Sequence, residues 1–362
     1  MSNRLTVRLA LCFVALTILC ACQGEREADV VAGFSALNQP PAGFAQAARG
    51  MAVQLPEDMG PHPQYRLEWW YLTANLKTAD GQRFGVQWTL FRNGVRPGPF
   101  PSAGPGWHRD ELWLAHAALS GPGTHHFEDR AGRGGTGQAG VTPVPFNAWI
   151  DHWQLSATGE NAWELDVKGE DFRYRLQLRP QQPPVLNGEQ GFSAKSAGGG
   201  GSMYFSYPLA ITGGEVEFNG ETFAVTGQGW FDREWSSQYL KADQQGWDWM
   251  ALHLDDGRHL MLFRVRGEED FYSATLVSAQ GSARTLTADE FQLVPTGFRK
   301  SRFGRVPVVW DIEVPSAALK LQVQSWPGDY WNPGSLRYWE GPVEVSGSHG
   351  GEGYLEMTGY GG

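Results

Sequence analysis

From Tyr65 onward the chain breaks into short runs rich in aromatic and β-branched residues, separated by Gly, Asp, Asn and Pro. Alternation is visible in Phe172-x-Tyr174-x-Leu176-x-Leu178 and in Leu319-x-Leu321-x-Val323. A period of two places one sheet face in a core and the other in water. Strands are predicted at Arg66–Leu76, Arg83–Arg92, Leu112–Leu119, Trp149–Ser156, Trp163–Lys168 and Phe172–Leu178. The second half predicts them at Trp249–Leu254, Arg258–Arg266, Ser273–Val277, Val308–Val314 and Leu319–Gln324, among others. Ala79-Asp80-Gly81, Phe218-Asn219-Gly220 and Asp255-Asp256-Gly257 are hairpin turns, so the strands run as meanders and not as crossover units. Only Ser35–Arg49 and Asp232–Asp243 carry any helical pattern.

The pattern repeats. Trp69 to Leu76, a turn and Phe84 to Arg92 parallel Trp247 to Leu254, a turn and His259 to Arg266. Each hairpin is followed by a Trp-led strand pair. An all-β fold of two β-barrel-like halves, 64–236 and 237–362, accounts for this economically, because closure protects the edges of long antiparallel sheets. A single large sandwich remains the alternative.

The start of the chain has another character. Arg4 and Arg8 precede an apolar run from Leu9 to Leu19 that is too short to span a bilayer and ends in Leu19-Cys20-Ala21-Cys22. Residues 1–21 therefore read as a signal peptide of the lipoprotein kind, with Cys22 as the lipidated residue. Gln23 after that cysteine favours the outer membrane of a cell envelope, facing the periplasm. Residues 22–63, rich in Ala, Gly, Pro, Gln and Glu, read as a flexible tether reaching about 35 Å. All three cysteines lie at or before Cys22, so the mature body has no disulfide and is stabilised by its cores. Loss of the signal arginines takes the net charge from −10 to about −12, which gives no electrostatic case for nucleic acid.

Common catalytic constellations are missing: no Gly-x-Ser-x-Gly, no His-Glu-x-x-His and no cysteine cluster. His125-His126 reads as part of a solvated loop, and neither a metal nor a cofactor is expected. Sixteen Trp and 13% aromatic residues stand out. Tryptophan suits a barrel core, and it equally suits an apolar cavity with a polar contact. Trp69, Trp70, Trp88, Trp230, Trp235, Trp247 and Trp249 are the candidate ligand-binding residues. Asp232 and Glu234, two apart, share a face if the segment is a strand. With Asp248 they are the candidate acid/base carboxyls, since a carboxyl walled by Trp has a raised pKa. The alternative is that Arg233 or another cation pairs with them to fix the junction between the halves.

The strings Glu68-Trp69-Trp70-Tyr71-Leu72-Thr73, Gln87-Trp88-Thr89-Leu90-Phe91-Arg92, Tyr204-Phe205-Ser206-Tyr207-Pro208, Trp230 to Trp235, Gly246-Trp247-Asp248-Trp249, Tyr338 to Pro342 and Gly353 to Tyr360 resemble, in order, the carotenoid 1,2-hydratase and AttH-type lipocalin-like family. The resemblance implies two lipocalin-like antiparallel β-barrels in tandem. It implies three functions: hydration of a terminal isoprenoid double bond, a secreted hydrolase activity, or a non-catalytic exported partner of an ABC transporter. In the hydratases a histidine stands at the place of Arg233 and a Tyr-Asp pair near the place of Phe263-Arg264, so those residues do not carry over. The favoured expectation is a lipid-anchored protein that holds a hydrophobic, lipid or isoprenoid-like ligand and works with ABC transporter subunits. A hydro-lyase or hydrolase using Asp232, Glu234 or Asp248 is the alternative, and a ligand-free transporter adaptor is the third reading.

Overall fold

The computed structural model describes residues 43–97 and 110–360 except 122, 239, 242 and 335. The signal segment, Cys22, the tether as far as residue 42 and most of the helical pattern at 35–49 lie outside them. Two antiparallel sheets account for nearly all of the rest. Single 3-10 turns at Glu57–Met59 and Pro315–Ala317 are the helical elements among the described residues.

The first sheet begins with the hairpin β1 (Leu67–Lys77) and β2 (Arg83–Gly94), followed by β3 (Glu111–Gly121) and β4 (Thr124–Arg133). Shorter strands follow: β5 (Ala139–Pro143), β6 (Phe146–Ile150), β7 (Trp153–Gly159), β8 (Ala162–Lys168) and β9 (Phe172–Pro180). Then come β10 (Val185–Leu186), β11 (Phe192–Ala194), the long β12 (Gly201–Phe218), β13 (Glu221–Ala224) and β14 (Thr226–Ser236). The second sheet holds β15 (Gly246–Leu254), β16 (His259–Arg266), β17 (Phe271–Val277), β18 (Ala283–Leu286) and β19 (Gln292–Ser301). It is completed by β20 (Gly304–Val314), β21 (Leu319–Ser325), β22 (Trp331–Asn332), β23 (Tyr338–Gly347) and β24 (Gly351–Thr358).

The order is β4-β3-β2-β1-β14-β12-β9-β8-β7-β6-β5 in the first and β18-β17-β16-β15-β24-β23-β21-β20-β19 in the second. In both, the opening strand lies between the second and the last. The internal repeat is thus a shared topology, and the sheets curl into a near-barrel and a half-barrel, as tandem lipocalin-like barrels do.

Alternation decides what each strand buries. On β1 the even positions Trp70, Leu72, Ala74 and Leu76 enter the first core, with Trp88, Trp153, Phe231 and Trp235. On β15 Met250, Leu252 and Leu254 enter the second, with Trp310, Trp331 and Trp339. The opposite faces of β1, β14, β15 and β16 meet in a third apolar cluster that includes Tyr71, Trp230, Trp249 and Phe263. The sheets approach closely there. At Gly85 an added Cβ would stand 2.4 Å from the Tyr354 hydroxyl.

Three expectations differ from this picture. The segment from Asp232 is extended through Ser236, because β14 is hydrogen-bonded on both edges, to β1 and β12. His125 and His126 lie on β4, not in a loop. Residues 43–63, read as tether, pack on the first sheet: Ala47 and Met59 are buried, and the Trp70 Nε1 donates to the Met59 carbonyl at 2.8 Å. Their scattered apolar residues have no period because they dock singly, not as a strand.

Candidate functional site

The cleft between the sheets follows from the same alternation. In the β1–β14 register Trp69 stands beside Glu234 and Tyr71 beside Asp232, all facing the second sheet. Opposite them, β15 presents Trp247 and Trp249, with Phe263 of β16 and Glu356 of β24 alongside in register. A cleft of about 90 Å³ opens among these residues, with Phe91, Tyr338 and Leu336 on its rim. A cavity of about 150 Å³ holds a benzene. This one is smaller, with room for a short hydrocarbon group and not for a whole lipid.

The carboxyls on this apolar wall are bonded largely by neutral donors. Asp232 accepts from Ser206 Oγ at 2.6 Å, Trp230 Nε1 at 2.6 Å and Tyr204 Oη at 2.9 Å. Trp249 Nε1, from the other sheet, donates to that tyrosine oxygen at 3.1 Å. Burial, aided by the nearby charge of Glu234, pushes the Asp232 carboxyl up to about 8. Glu356 accepts from Trp247 Nε1 at 2.6 Å, and burial with the Glu234 charge raises it to about 7. Behind the wall, Glu340 accepts from Tyr71 Oη at 2.6 Å, and burial takes it well above the ordinary carboxyl range. Asp232 therefore faces the aromatic cleft with its proton held at neutral pH, and Glu356 faces it near half-titration. That arrangement can donate a proton to a bound, weakly basic carbon or oxygen.

Glu234 is held differently. It accepts from Ser202 Oγ and pairs with the Lys195 ammonium at 3.1 Å. Lys195, just past β11, also donates to Ser193 Oγ at 3.1 Å. Its Nζ lies 4.1 Å from the Phe263 ring centroid.

The structure sorts the residues named from sequence. Asp232, Glu234, Trp69, Trp247 and Trp249 line the cleft. Trp230 lies in the apolar cluster between the sheets, bonded to Asp232. Trp70, Trp88 and Trp235 are first-barrel core. Asp248 lies on the far face of β15, its carboxylate 3.5 Å from Arg264 Nη1 and Arg266 Nε. Burial raises it to about 6 despite those arginines. Arg233 points away from Asp232 and Glu234, because neighbours on a strand face opposite sides. It pairs with Glu68 and donates to the Gly60 carbonyl at 2.6 Å. Arg233 is therefore not the cation that pairs with the acids, a place taken by Lys195 at Glu234 and by Arg264 and Arg266 at Asp248; it anchors the 58–62 segment at one end of the first barrel.

Sequence reasoning missed Tyr71, Tyr204, Glu340, Glu356 and Lys195 as site residues. Four of them stand in strings that attracted notice for other reasons. Lys195, in a Ser/Ala/Gly stretch, gave no signal. Among the described residues no group of three or more His, Cys, Asp or Glu is placed to hold a metal.

Comparison with known proteins places the fold. No curated protein matches the chain in sequence. The crystal structure of a protein assigned as an AttH from Nitrosomonas europaea is 33% identical, with a TM-score of 0.78 over 88% of this chain and 100% of that one. Kievitone hydratase from Nectria haematococca shares the fold at 14% identity and a TM-score of 0.66, over 89% of this chain and 97% of that one. CghA with Sch210972 shares it at 12% and 0.52, over 89% and 96%. The profile of the AttH-like family matches residues 46–360, and the chain belongs to that family.

Proposed function

We propose that the protein takes the apolar end of a small molecule into the cleft between its sheets and acts on it as an acid–base catalyst of the hydro-lyase type. The observation that carries this is Asp232, a carboxyl raised to about 8 on a wall of Trp69, Tyr71 and Trp249. A neutral acid beside aromatic faces can protonate an alkene, and the same faces stabilise the cation that forms. The substrate class is a hydrophobic, isoprenoid-like molecule with a short branched end, in keeping with the volume of the cleft. That the fold also occurs in a hydratase agrees with the reading but does not carry it. The hydratase histidine and Tyr-Asp pair do not stand here, so the acid is assigned from this chain's own geometry.

A carrier that binds without reacting is the second reading, favoured by Trp69, Tyr71, Phe91, Trp247, Trp249 and Phe263 lining one cleft. In either case the Cys22 lipid holds the body at the envelope membrane, where such molecules dissolve, and ABC transporter subunits are the proposed protein partners. Geranylgeraniol titrated into the protein should quench tryptophan fluorescence saturably, and Trp249→Ala should weaken binding at least about tenfold. Incubation in 18O-water should then yield a labelled alcohol with the wild type and about 100-fold less with Asp232→Asn. Saturable binding with no label at any pH would leave the carrier reading, and no binding to a panel of isoprenoid alcohols would remove both.

A further inference from the structure

We propose that Lys195 divides the two β14 carboxyls into an acid and a base: its ammonium holds Glu234 as a carboxylate, while Asp232, bonded only by neutral groups, keeps its proton. The proposal rests on the hydro-lyase reading of the cleft and assigns roles within it.

Asp232 and Glu234 are two residues apart on one face of β14, both buried and both at the cleft. On a strand that separation places their carboxyls about 7 Å apart. Among the described residues a cation is in contact with Glu234 and none with Asp232. Lys195 is 1% exposed, and its Nζ approaches Glu234 Oε1 at 3.1 Å. The three hydrogen bonds to Asp232 come from a serine, a tyrosine and a tryptophan. Arg233, the cation of this strand, is turned to Glu68 on the opposite face.

The remaining groups facing the pair are Ser202 and Tyr204 on β12 and, from the second sheet, Glu356 with Trp247. Each unpaired carboxyl beside an ionised Glu234 is pushed toward its neutral form, which is the direction found for both Asp232 and Glu356. Unequal surroundings of adjacent carboxyls are how one site holds an acid and a base together. Lys195 does not itself line the cleft and reaches it through Glu234 and Phe263. It is a positioning residue.

The alkene π pair takes the Asp232 proton, forming a C–H bond and leaving a cationic carbon. A solvent water attacks that carbon, forming a C–O bond, and its released proton goes to the Glu234 carboxylate. Asp232 is then ionised and Glu234 protonated, and return of one proton restores the starting state.

The test is the 13C carboxyl titration of Asp232 and Glu234 in the full body, followed by NMR without substrate in the wild type, Lys195→Met and Lys195→Arg. In the wild type at pH 7, Glu234 should be ionised and Asp232 neutral. Lys195→Met should raise the Glu234 titration by about one unit or more, and Lys195→Arg should restore it. The reverse order in the wild type overturns the proposal even if Lys195→Met fails to fold, as does a Glu234 titration that Lys195→Met leaves unmoved. The order as stated with no labelled alcohol in the 18O-water assay would instead overturn the hydro-lyase reading and leave the charge division standing.

Discussion

Asp232 combines a stability role with a chemical one, and the two can be read separately. Its carboxyl titrates near 3.8 in an unfolded chain and about 8 in the fold. Between those values the folded protein holds a proton that the unfolded chain has lost, so stability falls as pH rises through that window. Asp232→Asn removes this slope. The wild type should lose more stability than the variant between pH 5 and pH 8, by at least about 1 kcal/mol, measured as urea midpoints. Equal losses would mean that Asp232 is not protonated in the fold. At this scale the sequence was informative about Asp232 and Glu234, because the Trp-Phe-Asp-Arg-Glu-Trp run alternates in charge and size. It was silent about Lys195, since a lysine in a Gly-rich stretch is ordinarily solvated and only tertiary packing brings Tyr204, Glu234 and Phe263 around its ammonium.

At the scale of elements, Glu68 shows what holds the first barrel's end together. It accepts from Arg92 Nε at 2.5 Å and from Arg233, and both guanidinium groups are fully buried. Burial would raise its carboxyl, but the two arginines hold it well below the ordinary range. Arg92 also donates to the carbonyls of His62 and Tyr65 at 2.7 Å, and the His62 ring stacks on Trp235 at 4.1 Å. Glu68→Gln strands two buried cations. It should cost about 3–5 kcal/mol and make residues 43–66 the first site of limited proteolysis. A smaller loss with no change in cleavage would contradict this account of the segment. Gly85→Ala tests the approach of the sheets: its methyl meets the Tyr354 hydroxyl, so it should cost about 1–3 kcal/mol in thermal unfolding. Strands and hairpins were legible from alternation and turn residues. The docking of 43–63 was not, because isolated contacts leave no period in a sequence.

For the whole molecule, the two halves are joined by more than a linker. Tyr71 of the first sheet bonds Glu340 of the second, Trp249 bonds Tyr204, and Asn75 Nδ2 donates to the Gly353 carbonyl at 3.1 Å. The tandem repeat was readable from two similar aromatic hairpins. That the tryptophans would divide between filled cores and a cleft between the sheets was not, since each strand offers aromatics to both faces. The proposed lipidation of Cys22 belongs to this scale too. Cys22→Ser should move the protein from the membrane to the soluble fraction without altering its thermal unfolding, and a variant that stays in the membrane would contradict the anchor. The central claim is a neutral Asp232 in a cleft that receives an apolar ligand. Infrared difference spectroscopy at pH 7 addresses both halves of it, comparing wild type with Asp232→Asn, with and without geranylgeraniol. The account predicts a protonated-carboxyl C=O band that the variant lacks and that the ligand shifts. A wild-type spectrum without that band, or a band the bound ligand leaves unmoved, would contradict it.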